Sequence, residues 1–343
     1  MKNRLSLFLV SGLLLSSCQH TKITASLFIY NENDTFIASL NEALQDGLKK
    51  KGYTFTVDYA SNSQIQQNES IVEAREKGNS SRRFINLVDR LSSGAVIDKV
   101  SKKDIPVVFF NRQPLDEDRI RGRKTNKKIF YVGTNPTFEG QSQAKRVENL
   151  FGGSKSLNPL YDKNGDGVIQ LVLLKGEIGN QDTEKRSKAA LSTLKEDGYK
   201  TETLRSTYCN WNRDEAKESR KEVYEQYGSK IELVLANNDD RAIGAVDYLL
   251  EAGIIPEEEN TVLPFPVFGV DGTEIGIQYR EKGLLSGTVK NEEKKQAQVC
   301  IEIADSLRKN QAIPDDFSSS MANEYTVYVK GEILTKNTET WNT

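Results

Sequence analysis

Two adjoining stretches carry side chains whose types and spacing suit chemistry. In the first, DKNGDG, Asp162, Asn164 and Asp166 alternate and Gly167 follows. A hard cation such as Ca²⁺ takes oxygen ligands, and alternating Asp and Asn with a Gly at the sharp bend supply them. The pattern is the first half of an EF-hand loop. Val168 stands where a backbone carbonyl would serve, and Gln170 at the ninth place. The closing position, normally Glu, is Leu173, inside an apolar strand. A pair of flanking EF-hand helices is thereby excluded, and a closing carboxylate must come from elsewhere. The same residues also suit a solvated Asx-type turn ahead of a strand.

The second stretch leaves that strand. IQLVLL (169–174) is a continuous apolar run, as expected of a parallel strand buried on both faces. In open α/β sheets ligands bind beyond the carboxyl ends of the strands. Asn180, Asp182 and Arg186 fall there. The competing reading is that Asp182 caps the next helix and Arg186 pairs with Glu177 or Glu184 on its surface.

The elements that must position these groups repeat along the chain. TASLFIY, YTFTVDYA, RRFINLVD and IPVVFF read as strands. Between them, TFIASLNEALQDGLKKKG, the polar run 61–80 and SSGAVIDKV read as helices. Strands alternating with helices make βαβ units and a parallel sheet. Residues 112–128 are charged and turn-like, and FYVGTN after them reads as a strand entering a second domain. There the rhythm resumes, with helices at 183–198, 213–226 and 240–252 and strands near YKTETLRST, IELVLANND, FPVFGVDG and LLSGTVKN. Polar or aromatic residues stand at the strand ends: Tyr30, Asp34, Phe36 and Asn111 in the first half, Trp211, Asn238, Asp271 and Asn291 in the second. The expected fold is two doubly wound parallel-sheet lobes with a cleft between them.

The cleft set is mixed. Asp accepts, Asn donates and accepts, and Arg donates, which suits a neutral ligand with many hydroxyls. Phe36 and Trp211 offer flat apolar faces for ring C–H groups, although each also suits a core. No glycine-rich phosphate loop follows a strand, so nucleotide phosphates are not the target. The net charge of −2 suggests no basic face for nucleic acid. His20 is the only histidine and precedes the first strand, which excludes histidine triads and zinc sites. Cys209 and Cys300 make no disulfide framework.

The chain begins as an exported protein does. MKNR is a basic n-region and LSLFLVSGLLL an apolar h-region too short to span a bilayer. LSSC resembles a bacterial lipobox, with residues 1–17 as signal peptide and 18–23 as a tether lipidated at Cys18. An ordinary leader with an incidental cysteine is the alternative. Two acyl chains suffice for stable anchoring to a membrane.

PVVFFN (106–111), YVGT (131–134), DKNGDGVIQLVLLKGE (162–177), IELVLANND (231–239), PVFGVDG (266–272) and GTVKN (287–291) closely resemble the galactose/glucose-binding proteins. These are type I periplasmic solute-binding proteins that serve ABC sugar importers and, in some bacteria, a chemoreceptor. The resemblance runs in order from Tyr30 to about 330 and is weakest in 61–82, 112–128 and the tail. It implies sugar-binding roles for Tyr30, Asp34, Phe36, Asn111, Asp182, Arg186, Trp211, Asn238, Asp271 and Asn291. Asn180 stands where the family usually has His, which bears on sugar preference. Glu232 matches the separate glutamate that closes the family's metal loop, giving a structural Ca²⁺ held by Asp162, Asn164, Asp166, Val168, Gln170 and Glu232. The resemblance also implies three hinge crossings, near 111–134, 288–294 and 322–328. The lobes would then be 24–111 plus about 292–324, and about 131–290 plus 328–343. Its further implications are a monosaccharide ligand, an importer permease as partner, and a monomer lipid-anchored in the periplasm or at the cell surface.

Two other functions fit parts of this sequence. A glycoside hydrolase would use Asp34, Asp182 and Asp271 as acid and base, and turnover of labelled glycosides would reveal it. A repressor-type sensor shares the expected fold but needs a DNA-binding N-terminus, where this chain has a leader and Cys18. Fold alone does not decide between them.

Overall fold

The computed structural model describes residues 23–78, 80–258, 261–313 and 321–334. The leader and Cys18 lie outside the described residues, as does 335–343 of the expected second lobe. The first lobe alternates β1 (Thr24–Ile29), α1 (Thr35–Lys50), β2 (Thr54–Tyr59), α2 (Gln64–Lys77), β3 (Arg83–Ile85), α3 (Ser93–Val100), β4 (Val107–Phe110), α4 (Asp116–Arg123) and β5 (Ile129–Gly133). The second runs through α5 (Pro136–Phe151), β6 (Val168–Lys175), α6 (Gln181–Glu196), β7 (Lys200–Tyr208), α7 (Arg213–Tyr227), β8 (Leu233–Ala236), α8 (Asp239–Glu251), β9 (Val267–Asp271), α9 (Glu274–Glu281) and β10 (Gly287–Lys290). The chain returns to the first lobe with α10 (Glu293–Arg308), β11 (Met321–Asn323) and β12 (Thr326–Tyr328), and ends in the second with β13 (Glu332–Leu334).

The strand order is β11-β12-β5-β4-β3-β1-β2 in one sheet and β13-β10-β9-β8-β6-β7 in the other. All pairs are parallel except β11 with β12 and β10 with β13. Each sheet is covered on both faces, which is why its central strands are apolar throughout. In the first lobe Leu40, Leu44, Ile301 and Ile303 pack on one face and Ile71, Val96 and Ile97 on the other. In the second, Val147, Phe151 and Leu194 cover one face and Val223, Ile243 and Val246 the other.

Three expectations need correction. Residues 112–128 are not merely turn-like, since α4 occupies their middle. Its three acids lie in the first turn and Arg121 and Arg123 in the last, as the helix dipole favours. Charge hid the helix because its inward residue is Arg119, fully buried, donating to Thr326 Oγ1 at 2.6 Å and lying near the Tyr131 and Tyr325 rings. Second, Ile129–Gly133 pairs with β4 and β12, so this strand belongs to the first lobe and the crossing follows Gly133. Third, β12 stays in the first sheet, which puts the last crossing between Tyr328 and Glu332. The helix α5 was not anticipated. Its polar residues Glu139, Ser142 and Gln143 are buried against the second lobe, which blurs its amphipathic pattern.

The crossings lie side by side. Val329 N donates to Gly133 O at 2.8 Å. A Cβ on Gly331 would come within 2.6 Å of the Lys290 carbonyl, so only glycine lets the second and third crossings approach this closely.

Candidate ligand site between the lobes

The carboxyl ends of the strands in both lobes open on one cavity. Tyr30, Asp34, Phe36, Ile37, Asn111 and Arg112 line it from the first lobe, and Asn180, Asp182, Arg186, Trp211, Asn238 and Asp271 from the second. The cavity is small as the lobes stand here, about 30 Å³. Asn291 is not on the wall. It is buried at the second crossing and donates from Nδ2 to Asp271 Oδ1 at 3.0 Å.

The same local device sets three of these residues. Asp34, Asn180 and Asn238 are the N-caps of α1, α6 and α8, each just past a parallel strand. Asp34 accepts from Ile37 N and from the Tyr30 hydroxyl. Asn180 Oδ1 accepts from the backbone of Asp182 and Thr183, and Asn238 Oδ1 from Arg241 N. Asn180, rather than Asp182, is therefore the cap of α6, and its Nδ2 remains for a ligand. Capping fixes these side chains at the cleft wall and aims helix N-termini, with their partial positive charge, at the cavity.

Backbone strain concentrates on the same wall. Asn111 (φ 58°), Trp211 (φ 56°) and Asp271 (φ 106°) all adopt positive φ. For a tryptophan this conformation is a genuine outlier, and such outliers persist where surrounding structure enforces them. Gly176 is part of that enforcement, since a Cβ there would stand 2.4 Å from the Trp211 ring. Asn86 orients Asn111, donating to its Oδ1 at 3.1 Å.

The charges are buried and matched. Arg186 pairs with Glu139, donates to Asn237 O at 2.6 Å and stands 4.0 Å from both Asp182 and Asp271. It is an interior cation, not the surface partner of Glu177 or Glu184; those two pair with Arg112 and Lys175. Burial pushes the Asp182 carboxyl up to about 6, against the pull of Arg186. Burial likewise raises Asp271 well above the carboxylate range, and Arg186 opposes the shift. Both prefer an environment that restores hydrogen-bond donors to the carboxylate.

Arg112 had no sequence signal beyond its place after Asn111. Its guanidinium lies 3.8 Å from the Tyr30 ring centroid and bonds Glu177 across the cleft at 2.9 Å. Burial works against its charge, but Tyr30, Glu177 and Asp34 more than offset that, so its pKa is raised. Gln181 Nε2 to Gln113 Oε1, at 3.1 Å, is a second bond between the lobes.

A family model, the periplasmic binding protein domain, matches residues 25–312. The chain belongs to the periplasmic binding protein family. It is a solute-binding, non-catalytic protein, which sets aside the acid/base pair considered for the carboxylates of the cleft. A D-galactose/methyl-galactoside binding periplasmic protein of Haemophilus influenzae is 30% identical over 286 residues, 83% of this chain and 81% of that one. A putative rhizopine-binding protein of Rhizobium meliloti is 24% identical over 96% of this chain and 94% of its own. An ABC transporter solute-binding protein of Actinobacillus succinogenes, solved with D-allose, superposes with a TM-score of 0.76 at 21% identity, covering 92% of this chain and 98% of that one. One of Bacillus halodurans, solved with myo-inositol, gives 0.71 at 20% identity, covering 92% of this chain and 95% of that one.

The oxygen-rich turn of this binding protein lies at the opposite end of β6 from the cleft. Glu232, almost fully buried, accepts from Lys163 N at 2.6 Å and Gln170 N at 3.3 Å, tying the turn to the start of β8. Asp162 Oδ1 is buried with no hydrogen-bond partner among the described residues, an orphan acceptor that suits a cation. Asn164 Nδ2 and Gln170 Nε2 both donate to Asp166 Oδ2. Turning each amide over would present an oxygen in place of an N–H. Among the described residues no three Asp, Glu, His or Cys side chains converge on one point, so a cation here would need amide or backbone oxygens as well.

Proposed function

We propose that this protein captures a neutral hexose, D-galactose or D-glucose, outside the cytoplasm and delivers it to an ABC importer. The observation that carries the reading is the wall of the cleft. Asp34, Asp182 and Asp271 accept, Arg112 and Arg186 donate, and Asn111, Asn180 and Asn238 supply amides, all around one cavity. A sugar hydroxyl donates one bond and accepts others, and only such a mixed set satisfies several at once. Phe36 from one lobe and Trp211 from the other supply flat faces for the ring. The relative named for D-galactose is 30% identical. D-allose and myo-inositol, the ligands of two structural relatives, are also neutral polyhydroxylated rings.

The two lobes provide the mechanism. A sugar contacts all of these groups only when the lobes are closed, so it favours closure by its differential interaction with the two states. The closed form is what a permease, and in taxis a chemoreceptor, would recognise. Titration calorimetry of the processed protein with D-galactose, D-glucose, D-allose and myo-inositol tests the reading. One of the two named hexoses should bind best, with compaction seen by small-angle scattering. No heat with any of the four would refute it.

Two accessory features belong to the same proposal. Ca²⁺ held by Asp162, Asn164, Asp166, Gln170, the Val168 carbonyl and Glu232 would brace β6 against β8, remote from the sugar. Cys18 would carry the lipid that keeps the protein at the membrane. Cys18→Ser should release it to the soluble exported fraction or leave the leader uncleaved; unchanged membrane association would refute lipidation.

A further inference from the structure

Arg241 lies in the first turn of α8 and is fully buried, and among the described residues its Nε, Nη1 and Nη2 have no hydrogen-bond acceptor. Its guanidinium stands 5.1 Å from the Trp211 ring centroid. Trp211 Nε1, on the cavity wall, is also buried without an acceptor. Two neighbouring side chains thus present only unanswered donors. A buried donor left unpaired is costly, and more so when it is charged. The carboxylates that attract Arg241 are Asp240, Asp34 and Asp271. Asp240 is already paired with Arg213 at 2.6 Å. Asp34 and Asp271 are cleft residues, one from each lobe.

We propose that Arg241 is a ligand-binding residue. Arg241 is not itself among the residues that line the cavity, but it lies against Trp211, which is; with Trp211 Nε1 it forms a donor-only corner that bonds the lone pairs of a sugar hydroxyl, whose own proton points to Asp34 or Asp271. The inference rests on the sugar reading above and names a contact that reading lacks. Charge fixes the ligand as neutral. Arg112 and Arg186 are matched by Glu177 and Glu139. Arg241 is then set against Asp34, Asp182 and Asp271, whose oxygens suit hydroxyl donors and would crowd the acceptor oxygens of a hexuronate or hexose phosphate.

The test is Arg241→Met, which keeps length and removes every donor. Calorimetry uses D-galactose, D-glucose, their monodeoxy derivatives and D-galacturonate. For the hexose that the wild type binds best, affinity should fall roughly 10–100-fold, the scale of a hydrogen bond to a charged group. The derivative lacking the hydroxyl that Arg241 reads should bind wild type and variant alike. Without sugar, the variant's Tm should be equal or higher, because an unpaired buried cation is gone. Trp211→Phe, which keeps the flat face, should weaken the same hydroxyl contact. Unchanged affinity in Arg241→Met would overturn the inference alone. So would a lower Tm with the same loss on every derivative, which marks a mere prop for Trp211. Tighter binding of D-galacturonate than of either hexose would also overturn it. No binding of any sugar to the wild type would overturn the sugar reading, and this inference with it.

Discussion

Glu177→Gln isolates the ion pair that joins the lobes. Arg112 and Glu177 meet at 2.9 Å, with side-chain exposures of 7% and 32%. An exposed pair is worth about 0.2–1 kcal/mol, and breaking a fully desolvated one costs about 2–5 kcal/mol. This pair lies between those limits. Glutamine also retains an oxygen that can accept from Arg112. The loss should be about 1–2 kcal/mol, or roughly 5–30-fold in an equilibrium constant. It falls on the closed state only, since the two residues sit on different lobes. Sugar binding includes closure, so Kd should rise by that factor, chiefly through faster dissociation. Stopped-flow and calorimetry on the sugar that the panel selects would measure it. Glu184→Gln is the control, because Glu184 pairs with Lys175 inside the second lobe. An unchanged Kd for Glu177→Gln, or an equal change in the control, would refute the latch.

Asp271→Ala should weaken sugar binding by about 2–5 kcal/mol, because it leaves buried sugar hydroxyls and Asn291 Nδ2 without their acceptor; wild-type affinity in that variant would contradict the cleft reading. Asn180→His, which alters the one free amide at the α6 cap, should change the glucose-to-galactose ratio more than it changes Tm. Affinity and stability should respond to pH with opposite signs. Sugar hydroxyls favour the Asp182 carboxylate, so affinity should fall as pH drops through about 6. In the free protein Asp182 and Asp239, the latter raised to about 7 by burial, carry raised values. Their contribution to stability is therefore present at acid pH and lost as pH rises through about 6 and 7. Calorimetry and melting curves across that window check both slopes. Chelation with EDTA should lower Tm, and Glu232→Gln should lower it to a similar degree by leaving the backbone N–H groups of Lys163 and Gln170 with a weaker acceptor; no shift with excess chelator would remove Ca²⁺ from the account.

The amino-acid sequence by itself determined the βα rhythm and most of the cleft wall. Both are local properties. Apolar runs such as IQLVLL mark strands buried on two faces, and caps such as Asp34, Asn180 and Asn238 follow their strands within a few residues. A ligand site at strand ends is thus visible as polar residues after apolar runs. Lobe membership was not local. Ile129–Gly133 joins the first sheet because of its pairing with Thr326–Tyr328, nearly two hundred residues away. Buried charge was equally opaque. Arg119 hid the helix α4, and Glu139 hid α5, because composition alone reads charged residues as solvent-facing. Arg112 and Arg241 show the same limit within the site. An arginine after a strand or in a helix's first turn has many possible neighbours. Only the tertiary structure placed one across the cleft from Glu177 and buried the other beside Trp211 without an acceptor.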